Sequence, residues 1–221
     1  MPVKLLISGQ PNTGKTTLLK TLDPARTLVI SRDGKAFPFK LVNRSIKDFT
    51  DADDLINQIS DAVVAYVDKF DKNPETIVVD SISKILLDIE ARVLARVKSF
   101  PYGVVNTEIS KLTEFLESEI AQNCNLILVS HAIFNTDTSS YELVNAGGSW
   151  GKKGGMLSEV DNGIFIEIKN KKRIIHNRSA QLAARTTLED LPDSVPIEDY
   201  NLQEHMDLLA SSLHEADEYS L

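Results

Sequence analysis

The 221-residue sequence predicts an α/β domain: a mainly parallel sheet with helices on both faces and a C-terminal antiparallel hairpin. Three observations carry that reading. Short, continuous apolar runs alternate with longer segments of helical period, as expected when strands buried on both faces alternate with the helices that cover them. A glycine-bounded run, Gly9–Gly14, separates the first apolar run from the first helical segment. Two late apolar runs are joined only by Asn170-Lys171-Lys172, a hairpin-type connection.

Taken in order, Val3–Ser8 is the first buried strand and Lys15–Leu22 the helix after it. Thr27–Ser31 is a second strand. In Asp51–Phe70, Leu55, Ile56, Ile59, Val63, Val64 and Val67 recur at helical spacing. Asn73-Pro74 breaks that helix, and Thr76–Asp80 is a strand ending in an acid. Ser83–Val97 is helical, Phe100–Gly103 reads as a loop, and Asn106–Gln122 is a helix with Ile109, Leu112, Phe115, Leu116 and Ile120 on one face. Asn125–Ser130 is the fourth strand. The polar segment Phe134–Glu159 follows, with glycines at 147, 148, 154 and 155 and a possible strand at Ser140–Val144. So long a stretch without regular structure inside a domain points to function or disorder. Gly163–Lys169 and Arg173–His176 form the hairpin, and Tyr200–Leu213 is a possible short helix.

Composition narrows the function. The chain is 42% hydrophobic, enough for a sizeable core, yet no apolar run reaches the roughly 18 residues that a membrane-spanning helix needs. Its first apolar run leads straight into the glycine-rich motif, so it reads as a strand and not as a cleaved leader. With Cys124 as the single cysteine, neither an internal disulfide nor a cysteine zinc site is possible, which fits a reducing, cytoplasmic setting. A net charge of −8 argues against a generally basic nucleic-acid binder. The charge is uneven, however: residues 186–221 hold ten Asp/Glu and no Lys or Arg, whereas residues 150–185 hold eight Lys/Arg against three acids.

Gly9-Gln10-Pro11-Asn12-Thr13-Gly14-Lys15-Thr16 matches the P-loop pattern between a strand and a helix. Its glycines let successive backbone N–H groups turn toward phosphate oxygens, and the following helix adds its N-terminal partial charge. Lys15 is placed to reach the β- and γ-phosphates, Thr16 to ligate Mg²⁺, and Thr17 to contact the α-phosphate. Asp80 is the candidate second acid of the Mg²⁺ site; alternatively it caps the next helix, with Ser81 and Ser83 as rival caps. Asp33, after the second strand, is a candidate to orient the attacking water, or part of an ordinary Asp-Gly turn. His131 ends the fourth strand at the same sheet edge and is a candidate γ-phosphate sensor, or a structural histidine.

The segments "GQPNTGKTT", "TIVVDSIS", "LILVSHA" and "RSAQLAARTTLEDLP" together resemble the small RecA-like P-loop ATPases encoded by bacteriophages. These are AAA-domain nucleotide-binding proteins of the recombinase or single-strand annealing type. The resemblance spans residues 3–192 and implies an ATPase domain over 1–190 with an acidic tail over 191–221. It implies ATP and Mg²⁺ as cofactors, a homo-oligomer, a host-cell cytoplasmic setting and single-stranded DNA as partner. DNA would be bound by two loops, near Ser99–Thr107 and Phe134–Glu159. Trp150 and Tyr102 would stack on bases, and Lys152 and Lys153 would neutralise phosphates. Lys171, Lys172, Arg173 and Arg178, with Arg185 a weaker choice, are the candidates for a finger reaching a neighbour's γ-phosphate. The acidic tail would bind a partner such as a single-strand-binding protein, or compete with DNA for the basic loops. Two positions depart from the family pattern: Asp33 stands where it has Glu, and His131 where it often has Gln. A small-molecule or nucleotide kinase is the alternative, although the absence of Arg from Phe134–Glu159 counts against a phosphate-clamping lid. An ATP-driven loader or packaging motor is a further one.

Overall fold

The computed structural model describes residues 2–34, 37–147 and 155–217. Among these, nine strands form one sheet, in the order β3-β2-β4-β5-β1-β7-β8-β9, with β6 pairing to β5. Strands β1 (Lys4–Gly9), β2 (Thr27–Ser31), β3 (Val42–Ser45), β4 (Thr76–Asp80) and the first part of β5 (Asn125–Asn135) run parallel, and β7 (Asn162–Lys169) joins β1 in the same sense. Antiparallel pairing is confined to β6 (Ser140–Leu143), β8 (Lys172–His176) and β9 (Ser194–Pro196).

Alternation along the strands divides the core into two layers. Leu6, Ile30, Val79 and Leu128 face one side, where α2 (Ala52–Phe70), α3 (Ile82–Arg96) and α4 (Pro101–Phe115) pack on them. Leu5, Ile7, Val29, Val78 and Val129 face the other, covered by α1 (Lys15–Leu18) and α5 (Leu202–Asp217). Every central strand is therefore apolar on both faces, as the continuous runs predicted.

Several expectations change. The first helix is short: α1 tightens into a 3₁₀ turn at Leu19–Thr21. The segment expected as a loop at Phe100–Gly103 instead opens α4, with Phe100 left-handed at φ 51° and Pro101 at the first helical position. Proline suits that position because its missing N–H has no helical partner there anyway. The helix then continues through a π turn, Leu116–Ile120. Strand β5 extends past His131 to Asn135 and turns back through β6, so the first part of Phe134–Glu159 is a ribbon. In the late hairpin, Lys169 pairs with Lys172. Asn170 and Lys171 alone make the turn, both at positive φ as a type I′ connection requires.

The acidic region from 191 is not a detached tail. Strand β9 pairs with β8, and Leu202, Met206 and Leu209 of α5 are buried against Val3 and Leu5. Glu204 and Asp207 are exposed on the outer side of α5, while the apolar residues recur at i, i+4 and i+7. No helix among the described residues is long and apolar enough to cross a membrane.

Within this C-terminal layer His205 lies beside Tyr200, ring centroids 5.3 Å apart, and both are buried enough to perturb their protonation. Burial pushes the His205 imidazole down from 6.5 to about 4. The folded chain thus keeps it neutral while the unfolded chain takes up a proton. The resulting stability is complete above pH 6.5 and is lost as the pH falls through about 4. His205→Gln should flatten that limb: across this window wild type should lose roughly 2–3 kcal/mol more than the variant in urea melts.

Candidate nucleotide site

Parallel pairing brings the C-terminal ends of β1, β2, β4 and β5 to one edge. Gly9 pairs with His131, and Ser31 with Asp80, so the predicted residues line one row. A cleft of about 330 Å³ opens there, lined by the loop residues Pro11, Asn12 and Gly14 to Thr17 with Ser31, Asp33, Phe37, Asp80, His131 and Arg173. That volume lies at the lower end of the range of small-ligand sites.

The loop depends on two glycines. Gly9 has φ 151°, and a Cβ on it would lie 2.5 Å from the Ile166 carbonyl oxygen of β7. Gly14 has φ 104°, with Ile197 Cδ1 at 3.3 Å and Arg173 Cδ at 3.5 Å from a Cβ position. Between them Asn12 is left-handed at φ 65°, and Thr13 Oγ1 donates to the Gln10 carbonyl at 2.9 Å. The Lys15 ammonium is buried and donates to the carbonyls of Gly9 and Gln10, each at 2.7 Å.

Thr16 Oγ1 donates to Asp80 Oδ2 at 3.0 Å. Ser81, not Asp80, caps α3 by accepting from Lys84 N at 3.3 Å. Asp80 is thereby left to face Thr16. A hydroxyl and a buried carboxylate at this spacing form an oxygen donor set that fits Mg²⁺. Asp33 lines the cleft and pairs with Lys84 Nζ at 3.4 Å. Its neighbour Arg32 anchors it: the Arg32 N–H donates to the Asp80 carbonyl at 2.8 Å and the guanidinium to Asp88 at 2.6 Å and Asp48 at 3.0 Å. Burial alone would lower the Arg32 pKa, but these carboxylates outweigh it and raise it. His131 donates its backbone N–H to Ser83 Oγ at 3.1 Å.

The other predicted residues fare differently. Tyr102 sits on α4 and not in a loop, yet it lies against Gly147: a Cβ there would be 2.9 Å from its ring. Trp150, Lys152 and Lys153 lie outside the described residues. Lys171 and Lys172 are exposed at the hairpin. Arg178 is engaged within its own chain, donating to the carbonyls of Leu188, Glu189 and Leu191. Arg185 is held in the same way by Leu157 and Val160. Arg173 lines the cleft of its own chain. Sequence reading missed Lys84, Phe37 and Tyr141, whose hydroxyl lies 3.5 Å from Gln10 Oε1. Only the position of Lys84 in the first turn after Asp80 offered a signal.

The family described as an AAA domain matches residues 1–188. The chain belongs to this AAA-domain family. It is accordingly a P-loop nucleotide-binding domain, and the cleft is where its P-loop lies. No curated protein matches the chain. Among solved structures, the P4 protein from bacteriophage phi6 in complex with ADP is similar at 17% identity and a TM-score of 0.39, covering 81% of this chain and 59% of that one. The P4 protein from bacteriophage phi13 is similar at 13% identity and 0.42, covering 81% and 56%. The AAA-domain chain thus spans a little over half the length of either.

Gly14→Ala should displace the loop, since a side chain at φ 104° is strained and would press on Ile197. The strain of about 1–3 kcal/mol should weaken ADP binding roughly tenfold or more in a fluorescence titration. Gly103→Ala, at a helical position with no atom within 4 Å of its Cβ, should leave binding unchanged.

Proposed function

We propose that this AAA domain is a RecA-like ATPase that binds ATP with Mg²⁺, hydrolyses it and acts on single-stranded DNA in phage recombination, annealing or replication. One observation carries the DNA half of the reading. The strand that bears His131 at the cleft continues without a break into the β5–β6 ribbon. From the ribbon the chain reaches Gly147, whose N–H donates to Glu90 at 3.0 Å and whose backbone lies against Tyr102. The segment carrying Trp150, Lys152 and Lys153 starts there. Nucleotide site and DNA segment are the two ends of one piece of chain.

Lys15 holds the β- and γ-phosphates once its carbonyl contacts are exchanged for phosphate oxygens. Thr16 and Asp80 would hold Mg²⁺, which would neutralise phosphate charge. Asp33, steadied by Lys84, orients the attacking water. Subunits associate so that Lys171 or Lys172 of one reaches the γ-phosphate of the next. The acidic outer side of the C-terminal layer binds a protein partner, of which a single-strand-binding protein is one.

The test is steady-state ATP hydrolysis with no DNA, single-stranded DNA or duplex. Severalfold stimulation by single strands, lost in Lys15→Ala, is expected. Trp150 is the single tryptophan, so its fluorescence should be quenched by the same strands. Hydrolysis indifferent to DNA would contradict the reading; stimulation by duplex alone would favour a packaging motor.

A further inference from the structure

Arg173 belongs to β8, two strands away from the nucleotide loop's own strand, with β7 between. It nevertheless reaches that loop. Its Cδ and Nε lie 3.5 and 3.7 Å from where a Cβ of Gly14 would be, and it lines the cleft beside Lys15 and Thr17. The hairpin sets this reach. The two-residue turn fixes Ile168 opposite Arg173, and alternation then puts Arg173 on the side of β8 that carries Ile175, which is buried in the layer shared with α1. Ile197, just after β9, presses on the same point of Gly14 at 3.3 Å.

The next three basic side chains along the chain are already engaged. Arg178 holds the 188–191 carbonyls, Arg185 those of Leu157 and Val160, and His176 lies 3.1 Å from Glu167. Arg173 forms no ion pair among the described residues. A guanidinium with five donors and no carboxylate, on the wall of a phosphate cleft, is complementary to phosphate oxygens. Which oxygens follows from the position of Gly14. The backbone N–H groups of a P-loop cradle the α- and β-phosphates, and the lysine reaches onward to β and γ. A side chain beside Gly14 addresses the α/β end.

We propose that Arg173 acts in cis, binding the α- and β-phosphates of a nucleoside di- or triphosphate in its own subunit, and is not a finger for a neighbour's γ-phosphate. The inference rests on the cleft's binding nucleotide and is independent of DNA. It makes Arg173 a contact common to ADP and ATP, so it retains product as firmly as substrate.

The experiment is fluorescence polarisation with labelled ADP, and competition by ATPγS, in Mg²⁺ over a series of protein dilutions. Arg173→Ala should weaken ADP and ATPγS by the same factor, roughly ten- to a hundredfold, at every dilution. Arg173→Lys should recover part of the loss, because the charge remains but the fork does not. If Lys15→Ala weakens ADP and Arg173→Ala does not, the inference falls while the cleft stands. If neither variant weakens ADP, both fall. A loss confined to ATPγS that grows with protein concentration would return Arg173 to the neighbour's site and overturn the proposal.

Discussion

The register of three parallel strands governs the site. Gly9 opposite His131 and Asp80 opposite Val129 place the ends of β1, β5 and β4 in one row. Side chains alternate along a strand, so a slip of one residue would turn Asp80 away from Thr16 and send Val79 to the opposite face of the sheet. What holds the register is burial: Leu6, Val79 and Leu128 on one face and Ile7, Val78 and Val129 on the other are all at most 2% exposed. The 3.0 Å contact between Thr16 and Asp80 is therefore a product of the core on both sides of the sheet, although it lies in the cleft.

The second layer of dependence runs through the C-terminal third. Strand β7 closes on Gly9 so tightly that only glycine fits, and Arg173 and Ile197 close on Gly14. Arg178 and Asn177 bind the 188–192 carbonyls to the end of β8, which keeps the β8–β9 wall in place. The late basic segment thus clamps the fold at 178 and 185 and lines the cleft at 173. The acidic segment beyond it supplies apolar side chains to the core.

The legible parts of the sequence were those where one local rule sufficed. Thr27–Ser31 and Thr76–Asp80 are apolar runs bounded by polar residues, and their limits agree with the strands to the residue. The P-loop was legible because its spacing is itself the structure. Strand β3 was not: Asn43, Arg44 and Ser45 are exposed on a sheet edge and carry no alternation. Pro101 and Gly103 read as a loop, although proline also starts helices. The acidity of residues 186–221 masked the buried Leu202, Met206 and Leu209. Nothing local separates Arg173 from Arg178, because their roles depend on hairpin register and on carbonyls ten or more residues away.

The backbone between Gly9 and Thr17 should hold the nucleotide at the edge where β1, β4 and β5 end. Amide hydrogen exchange with and without ADP and Mg²⁺ tests it most directly, because it reads the N–H groups themselves. Exchange should slow across 9–17, with smaller protection at 80–84. Unchanged exchange in 9–17, with protection arising elsewhere, would contradict it.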